Sequence, residues 1–346
     1  MWLLKTEPSE FGYPDLERAG RSVWDGVANP VALRNLRAMK AGDRAFVYHT
    51  GAEKAAVGIA GVTRAAYPDP KSRNAKLVTH QVFIAVSDPS GAPVLDLGPG
   101  DFEVNEAGVK RTVVRASLSK DPMRIALLVD TGEDMSAALT NLRAGLIGFV
   151  DTLPAEHEVL LASTGRQFRV RVPPTTDRKK LKDAANSLFG DGGGTVLMDG
   201  LLEADSRFLR KAENRWPVFV IVTSDGTEIS AGAHEKEFNQ WIVALAQRGV
   251  SVHAFVFKTG RGSGIPEIIA QNATHNTGGR YDMMNTTTSL PEKMKTLAAQ
   301  LATDAQKMST WYTVEFQTDS ADLKPIDVAV PRNGVKLQMS YRRGGQ

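Results

Sequence analysis

The chain has 346 residues, no cysteine, and 42 lysine and arginine residues against 39 aspartate and glutamate residues, which gives a formal net charge of +3. This length suggests two or three domains, and a hydrophobic share of 42% with 23% charged residues is ordinary for a globular protein, which excludes global disorder. The absence of cysteine excludes disulfides, thiolate zinc sites, iron–sulfur clusters and a cysteine nucleophile, and no apolar run approaches the roughly 20 residues that span a bilayer.

The N-terminal part of the chain is basic and rich in aromatic side chains. Residues 1–76 carry 12 lysine and arginine residues against 8 acidic ones, together with seven aromatic residues. We predict a strand at Trp2–Lys5, a helix that begins at Asn29-Pro30, and β segments at Arg44–His49 and Ala55–Thr63. A polar, linker-like stretch follows at 71–76. Such a segment favours a partner that carries phosphate groups.

The rest of the chain changes from strands to an alternation of strands and helices, and then back to strands. Strands are predicted at Val78–Ser87 and, in two pieces, within Asp101–Leu118. Two wholly apolar strands at Ile125–Asp130 and Val218–Thr223 are typical of a buried parallel sheet. Further predicted strands lie at His157–Ser163, Ser251–Phe257, Trp311–Thr318, Ile326–Val330 and Val335–Tyr341. Predicted helices lie at Met135–Val150, Asp177–Phe189, Val196–Leu209, Lys236–Arg248 and Leu290–Lys307.

This order of elements predicts the α/β fold class, with a doubly wound parallel sheet. The β segments before Leu118 and after Ser309 are expected to pair into one small, sandwich-like module that flanks the parallel sheet. We therefore predict three parts: an N-terminal segment at 1–75, an α/β domain at 121–309, and a β-rich module that combines 76–120 with 310–343.

Two aspartates end the two apolar strands of the predicted sheet. They are Asp130 and Asp225, and a glycine-rich loop that ends at Thr195 precedes a predicted helix. Ligands of an open parallel sheet gather at the carboxyl ends of its strands. Two carboxylates and a hydroxyl at one edge could hold a hard cation such as Mg²⁺. Alternatively, each aspartate only caps the turn after its strand.

Residues 77–343 contain five segments that carry a family resemblance: Asp101-Phe102-Glu103-Val104, Ala126–Asp130, Gly194-Thr195, Val222-Thr223-Ser224-Asp225-Gly226 and the closing strand to Tyr341. Together they resemble the von Willebrand factor type A domain, and more narrowly a bacterial subgroup in which that domain lies within a flanking β module. In that family, the metal-ion-dependent adhesion site combines an Asp-x-Ser-x-Ser motif with a distant threonine and a distant aspartate. Here Asp130, Thr195 and Asp225 match, whereas Gly132 and Asp134 replace the two serines.

The resemblance implies a degenerate metal-ion-dependent adhesion site that binds a protein partner. The implied ligands of Mg²⁺ or Mn²⁺ are Asp130, Asp134, Thr195 and Asp225. Gly132 supplies no side-chain oxygen, and Asp134 adds a third negative charge. In the family, an acidic residue of the partner completes the coordination, and a site with three carboxylates attracts such a residue less strongly. The alternative is a scaffold that keeps the fold and has lost the adhesion chemistry.

No set of residues in the sequence indicates catalysis. The glycine run before Thr195 is not followed by the Gly-Lys-Ser/Thr of a phosphate-binding loop, and no serine lies in a Gly-x-Ser-x-Gly turn. The six histidines lack the spacing of metal ligands. We therefore expect no enzymatic activity and no organic cofactor.

Residues 1–70 contain a series of short motifs: Trp2–Pro8, Trp24-Asp25-Gly26-Val27, Arg34–Lys40, Phe46-Val47-Tyr48-His49, Val57-Gly58-Ile59-Ala60 and Ala66–Pro70. In this order, the motifs resemble the start of the EVE domain, a β-barrel of the PUA-like group. The family is thought to recognise modified bases in nucleic acid, with a flipped base in an aromatic-lined pocket. The implied nucleic-acid-binding residues are Trp24, Tyr48 and His49 around the pocket, Lys5 and Asn29 as polar contacts, and Arg34 and Arg37 toward phosphates. Alternatively, the aromatic residues are barrel core and the arginines an exposed helix face.

The match covers only the first part of an EVE domain, so we expect a truncated, partial barrel with exposed strand edges. Either the following β module lends strands to close it, or the segment is a fused fragment without a working pocket. Relatives of the type A part are often exported, but here an EVE-like start, with Lys5 and Glu7 inside its only apolar patch, stands where a signal would be. We therefore expect a cytoplasmic fusion protein without a membrane partner.

Together, these features predict a non-enzymatic binding protein. We expect protein–protein recognition at the degenerate site of the type A domain, and recognition of a modified base in nucleic acid by the N-terminal segment as a second activity. The alternative is a primarily DNA- or RNA-binding protein of the EVE type, with the type A domain as a passive scaffold.

Overall fold

The computed structural model describes residues 2–25, 27, 29–51, 53–67, 77–260, 262–319 and 324–343. The chain folds into two compact units, Met1–Lys76 and Leu77–Gln346. The linker-like stretch predicted at 71–76 lies outside the described residues. Within the part that is described, no helix is both long enough and apolar enough to cross a membrane.

The first unit contains a three-stranded sheet, which forms the partial barrel. Its strands, in order across the sheet, are β1 (Trp2–Thr6), β2 (Arg44–His49) and β3 (Ala55–Gly61). β1 and β2 are parallel because two helices, α1 (Tyr13–Ala19) and α2 (Pro30–Ala38), connect them, whereas β2 and β3 form an antiparallel pair. The predicted strands and the predicted helix start are confirmed to within two residues. α1 is an additional helix, and its Pro14 lies in the first turn, where no intrahelical hydrogen bond is lost.

The second unit contains two larger sheets and the remaining helices. Its strands are, in chain order, β4 (Val78–Ser87), β5 (Glu103–Glu106), β6 (Val109–Leu118), β7 (Met123–Val129), β8 (Glu158–Ser163), β9 (Arg169–Thr175), β10 (Trp216–Ser224), β11 (Ser251–Phe257), β12 (Tyr281–Met284), β13 (Trp311–Thr318), β14 (Ile326–Ala329) and β15 (Lys336–Ser340). Its helices are α3 (Leu139–Thr152), α4 (Arg178–Asn186), α5 (Leu197–Ala204), α6 (Ala231–Gln247), α7 (Ile265–Thr277) and α8 (Leu290–Met308).

The α/β sheet has the strand order β12-β11-β10-β7-β8-β9, and its neighbouring strands are parallel except for β8 and β9. Helices α3, α4 and α8 cover one face, and α5, α6 and α7 cover the other, each group through its own buried apolar cluster. The central strands β7 and β10 are buried on both faces, which explains their unbroken apolar sequences. The doubly wound parallel sheet is therefore confirmed.

Several elements of the α/β domain differ from the sequence prediction. The pattern did not predict β9, α7 or β12. β9 carries Pro173-Pro174, which a strand tolerates at the edge of a sheet, where β9 lies. α7 is rich in the poor helix formers Asn and Thr, and burial of residues such as Ile269 stabilises it. The predicted first helix begins only at Leu139, because Glu133–Ala138 forms a 3₁₀ turn, and α5 continues as a π turn at Asp205–Leu209.

The flanking module is one antiparallel sheet with the strand order β14-β5-β6-β13-β4-β15. β13, which follows α8, pairs with β4 on one side and with β6 on the other. The expectation that the β segments before and after the α/β domain share a sheet is thus confirmed. Its buried core includes Ile84, Tyr312 and Phe316. The domain boundaries at 120/121 and 309/310 stay a prediction.

Candidate functional site

The residues predicted to bind metal lie at the carboxyl edge of the α/β sheet. Asp130 directly follows β7, Asp225 directly follows β10, and the two strands are parallel neighbours. Thr195 reaches the same edge through a parallel bridge to Glu228. The chain leaves β7 toward α3 on one face and leaves β10 toward α6 on the other. This is the switch point at which ligands of open α/β sheets gather.

The carboxylate of Asp130 is buried and accepts hydrogen bonds from the protein at both oxygens. Only 2% of the residue is exposed. Oδ1 accepts a bond from the Gly132 amide at 2.7 Å, and Oδ2 accepts one from the Thr223 hydroxyl at 3.2 Å. Burial raises the pKa of Asp130 to about 6 against the lowering effect of these two bonds, and the negative charges of Asp134 and Glu228 add to the rise. The ionised form of Asp130 is therefore disfavoured by folding.

Asp225 has the opposite electrostatic character, although it is also buried. Oδ1 accepts hydrogen bonds from the Thr259 amide at 2.7 Å and from the Thr259 hydroxyl at 2.5 Å, and Oδ2 accepts one from the Gly260 amide at 3.2 Å. Burial by itself opposes ionisation, but these bonds outweigh it and hold the pKa of Asp225 below its ordinary value. Asp225 thus ties the end of β10 to the loop that follows β11.

The other two predicted ligands are also held by their neighbours. The buried Thr195 hydroxyl lies 2.8 Å from the hydroxyl of Thr164 and 3.2 Å from its carbonyl oxygen. Asp134 is half-buried, and its Oδ2 accepts a hydrogen bond from the Thr227 amide at 3.0 Å. The Asp134 side chain lies over Gly226, where any Cβ would overlap the carboxylate. The glycine at 226 therefore provides the space that Asp134 occupies.

Gly132 replaces the first serine of the family motif for a reason of packing. A Cβ at this position would lie 2.8 Å from the carbonyl oxygen of Gly193 and 3.0 Å from Oδ1 of Asp130. The Gly193 carbonyl is itself fixed, because it accepts a hydrogen bond from the Glu133 amide at 2.9 Å. A serine therefore requires the glycine-rich loop to move. The carboxyl edge of the sheet around Asp130, Asp134, Thr195 and Asp225, called the rim below, thus has no side-chain hydroxyl at position 132.

As arranged, the buried carboxylates of this set are already hydrogen-bonded by the protein. In the described part of the chain, no group of three or more His, Asp or Glu side chains converges with the spacing of a metal site. Carboxylate oxygens have the chemistry that Mg²⁺ and Mn²⁺ prefer, but both oxygens of Asp130 and of Asp225 face protein donors. The metal assignment stays a prediction for the whole set of Asp130, Asp134, Thr195 and Asp225.

Two neighbouring residues at this edge have structural features that the sequence analysis missed. Glu228 is 9% exposed, and its carboxylate accepts hydrogen bonds from the amides of Leu197 and Ser230, both at 2.8 Å. Burial raises the pKa of Glu228 above its ordinary value. Glu228 thus joins the start of α5 to the loop after β10. The next residue, Ile229, is 56% exposed, and the only sequence signal for it is a single apolar residue between polar neighbours in that loop.

In the first unit, the residues predicted to border one pocket lie on two faces of the sheet. Side chains alternate along a strand, so Tyr48 and His49 point to opposite faces of β2. On the outer face, the Lys5 ammonium lies 5.9 Å from the centre of the Tyr48 ring. On the buried face, Nε2 of His49 accepts a hydrogen bond from the Tyr13 amide at 2.9 Å, and Nδ1 lies 2.5 Å from the Glu53 carboxylate. The structure therefore does not bring Tyr48 and His49 together in a single pocket.

Two further predicted pocket residues have structural partners. Trp24 is half-buried and packs edge-to-face against Phe11, with ring centres 6.5 Å apart. Asn29 caps α2, because its Oδ1 accepts a hydrogen bond from the Ala32 amide at 3.2 Å. The two residues predicted to contact phosphates are exposed on α2: Arg34 and Arg37. Of the predicted set, four residues are thus exposed to solvent, and one of them, Asn29, is engaged in its helix cap: Lys5, Asn29, Arg34 and Arg37.

Comparison with known proteins identifies two families in this chain. The EVE domain profile matches residues 1–85, and the von Willebrand factor type A domain profile matches residues 125–228. Thymocyte nuclear protein 1 from Gallus gallus is 40% identical over 80 residues, which cover 20% of this chain and 33% of that protein. The Homo sapiens protein of the same name is 36% identical over 80 residues, which cover 20% and 36%. The chain thus spans about a third of the length of these relatives.

Among solved structures, a von Willebrand factor type A protein from Catenulispora acidiphila is similar with a TM-score of 0.45 and 13% identity, over 65% of this chain and 50% of its own. The EVE match extends to residue 85, further than the resemblance to residue 70, and its last residues form most of β4 in the second unit. The type A match covers β7 to the rim loop after β10. The chain is therefore a fusion of an EVE-type N-terminal segment with a von Willebrand factor type A domain.

Proposed function

We propose that this chain is a non-enzymatic binding protein whose type A domain recognises a protein partner at the edge of the sheet beyond β7 and β10. The observation that carries the proposal is Ile229, a large apolar side chain that is 56% exposed within a rim of hydrogen-bonded residues. An apolar side chain that is fixed before binding loses little conformational entropy when a partner covers it. Such a residue favours a protein contact at this edge.

The loop around Ile229 is held by contacts on both sides. The Ile229 amide donates a hydrogen bond to the Thr195 carbonyl at 2.9 Å. Its side chain packs over Gly194, where an added Cβ would lie 2.7 Å from Cγ2 of Ile229. The preceding residue, Glu228, binds the Leu197 amide at 2.8 Å. Ile229 therefore reaches solvent from a loop whose backbone is tied to α5.

The charge of the rim indicates which partner surface fits. Glu133 is exposed, Asp134 is half-buried beside it, and the buried Asp130 adds to the negative potential. A partner that offers an apolar side chain to Ile229 and a lysine or arginine to Glu133 complements this surface. This mode differs from the one that the family resemblance implies, in which an acidic residue of the partner completes a metal site.

Site-specific photo-crosslinking in cells that make the protein tests this proposal. With benzoylphenylalanine at position 229, we expect a discrete protein adduct that the charge reversal Glu133→Lys abolishes. Position 243 on α6 is the matched control, because Val243 is 57% exposed and distant in sequence from the rim loop. Equal adducts at the two positions, or adducts that Glu133→Lys leaves unchanged, would contradict the proposal and favour a passive scaffold.

A second candidate function is nucleic-acid binding by the first unit, and the exposed arginines of α2 favour it. Arg34 and Arg37 lie three residues apart on that helix, and residues 1–76 carry 12 basic against 8 acidic side chains. Contacts between arginines and phosphates give a salt-sensitive affinity that does not depend on base sequence. A contact from Trp24 to a modified base would add specificity.

Fluorescence anisotropy with a plain duplex and a 5-methylcytosine duplex separates these contributions. The double change Arg34→Ala and Arg37→Ala should lower the affinity for both duplexes equally, whereas Trp24→Ala should lower the affinity only for the modified duplex. Arg18→Ala on α1 is the control for loss of one exposed positive charge. If neither duplex binds at low salt, duplex binding by the first unit is wrong. If Trp24→Ala has the same effect on both duplexes, the base-specific part is wrong.

A further inference from the structure

The outer face of the sheet in the first unit combines aromatic and basic side chains. The inward-facing residues of β2 are buried: Ala45, Val47 and His49. Because side chains alternate along a strand, the other three residues line the outer face: Arg44, Phe46 and Tyr48. β2 is the central strand of this sheet, so these three side chains lie in the middle of the face and not at its margin.

The neighbouring strands place suitable residues beside the two rings. In β1, Lys5 lies opposite Tyr48 and Leu3 lies opposite Phe46. The Lys5 ammonium is 5.9 Å from the centre of the Tyr48 ring. In β3, the small residue Ala56 lies opposite Tyr48, which leaves room beside that ring. In β1, β2 and β3, all of whose positions are described, no residue on this face is acidic, so the face complements an anionic ligand.

We propose that this face binds single-stranded nucleic acid, with one base stacked on Phe46, a second stacked on Tyr48, and phosphates bound by Lys5 and Arg44. The proposal rests on the nucleic-acid part of the proposed function, and it names the surface and the form of nucleic acid that the first unit takes. Aromatic platforms beside basic side chains bind single strands with little preference among bases, because every base has a π face.

The spacing of the two rings selects single strands over duplexes. Alternate residues of a strand are about 6.6 Å apart, whereas the nucleotides of stacked DNA rise by about 3.4 Å along each strand. Neighbouring bases can stack on Phe46 and Tyr48 only when they are separated from each other, which an unpaired strand allows. The face therefore differs from a pocket for one flipped base, because it holds two bases in the open.

The margins of the face beside Phe46 are apolar. Leu3 and Ile59 flank Phe46 on either side and are 51% and 46% exposed. Apolar side chains beside a stacked base contact the sugar and the base edge without adding charge. A second copy of this chain could also cover such residues, so the oligomeric state is measured alongside nucleic-acid binding.

The test is fluorescence anisotropy of the full-length chain at low salt, with a labelled 12-nucleotide oligothymidylate and a 12-base-pair duplex as probes. Phe46→Ala and Tyr48→Ala should each weaken oligothymidylate binding roughly tenfold and leave duplex binding unchanged. Tyr48→Phe keeps the ring and should bind as the parent does. The double change Arg34→Ala and Arg37→Ala is the matched control, and it should lower the affinity for both probes.

Ultraviolet crosslinking of the unsubstituted chain to an oligonucleotide with 5-iodouracil provides a readout that does not depend on how a variant folds. We expect adducts on the peptide that contains Phe46 and Tyr48. Oligothymidylate binding that both alanine variants leave unchanged, with adducts only on α2, would overturn this proposal and leave the nucleic-acid function standing. Failure of both probes to bind would overturn both. Alanine variants that change the sedimentation coefficient but not the affinity would identify the face as a contact between copies.

Discussion

The substitution Asp130→Asn tests whether burial of the ionised Asp130 carboxylate lowers the stability of the folded protein. The residue is 2% exposed, and burial is the main reason that its pKa rises from 3.8 to about 6. An asparagine keeps the size of the side chain and the acceptor for the Gly132 amide, which lies at 2.7 Å. The Thr223 hydroxyl can rotate to accept from the new amide group. We therefore expect the variant to be more stable than the parent at neutral and alkaline pH.

The sign and the size of the effect follow from the raised pKa. The unfolded chain loses this proton at a lower pH than the folded chain, so ionisation lowers the free energy of unfolding as the pH rises from 3.8 through about 6. The full difference corresponds to roughly 3 kcal/mol. Between pH 5 and pH 8, the stability advantage of Asp130→Asn should grow by about 1.4 kcal/mol. Repulsion from Asp134 and Glu228 acts in the same direction.

Urea unfolding of both proteins at pH 5 and pH 8, followed by tryptophan fluorescence, measures this difference. Asp282→Asn is the control. Burial opposes ionisation of Asp282, but ion pairs with Lys293 at 2.7 Å and Arg280 at 2.5 Å outweigh it and hold its pKa below 3.8. Asp282 is therefore ionised in both the folded and the unfolded state throughout this range. Asp282→Asn should lower the free energy of unfolding by the same amount at both pH values. A stability advantage of Asp130→Asn that is equal at the two pH values would refute the reasoning.

Millimolar Mg²⁺ or Mn²⁺ should leave the melting temperature unchanged, because the buried carboxylates of the rim already face protein donors; a rise that Asp225→Ala removes would instead establish the metal site. Gly132→Ser should lower the free energy of unfolding by about 1–3 kcal/mol, since its Cβ would lie 2.8 Å from the Gly193 carbonyl oxygen. In urea unfolding, Gly232→Ser is the matched control, because a Cβ there meets nothing within 4 Å, and equal losses would contradict the packing argument. Asp205→Ala should lower the free energy of unfolding by about 1–3 kcal/mol, because the buried Asp205 carboxylate accepts hydrogen bonds from the buried Trp241 indole at 3.0 Å and from Arg248 at 2.8 Å. Thermal denaturation that shows no loss of stability would contradict this assignment.

The elements that sequence reasoning predicted best are those whose own residues are sufficient to specify them. β7 and β10 are unbroken apolar runs, because strands in the middle of a sheet that is covered on both faces need no polar side. β9 and α7 were missed because tertiary position overrides their weak local preferences. β9 tolerates Pro173-Pro174 only as an edge strand, and α7 depends on burying Ile269 and Ala273 against the sheet.

In the candidate sites, too, some features could be predicted from the sequence, whereas others depend on tertiary contacts. The alternation of strands and helices was enough to bring Asp130 and Asp225 to one edge, because parallel strands share a direction. Whether their oxygens point to a vacant centre or to protein donors depends on the Thr223, Thr259 and Gly260 contacts, which connect residues far apart in sequence. In the first unit, strand alternation could have separated Tyr48 from His49, but the family resemblance grouped both around one pocket.

The sequence by itself thus determined the fold class, the pairing of the β segments on either side of the α/β domain, and which residues reach the carboxyl edge of the sheet. These properties follow from periodicity and from the order of elements along the chain. Only the tertiary structure decided that Gly132 has no room for a side chain, that Ile229 is exposed on a fixed loop, and that Phe46 and Tyr48 share an open face. Such features arise from distances between segments that are remote in sequence, and a linear pattern does not contain those distances.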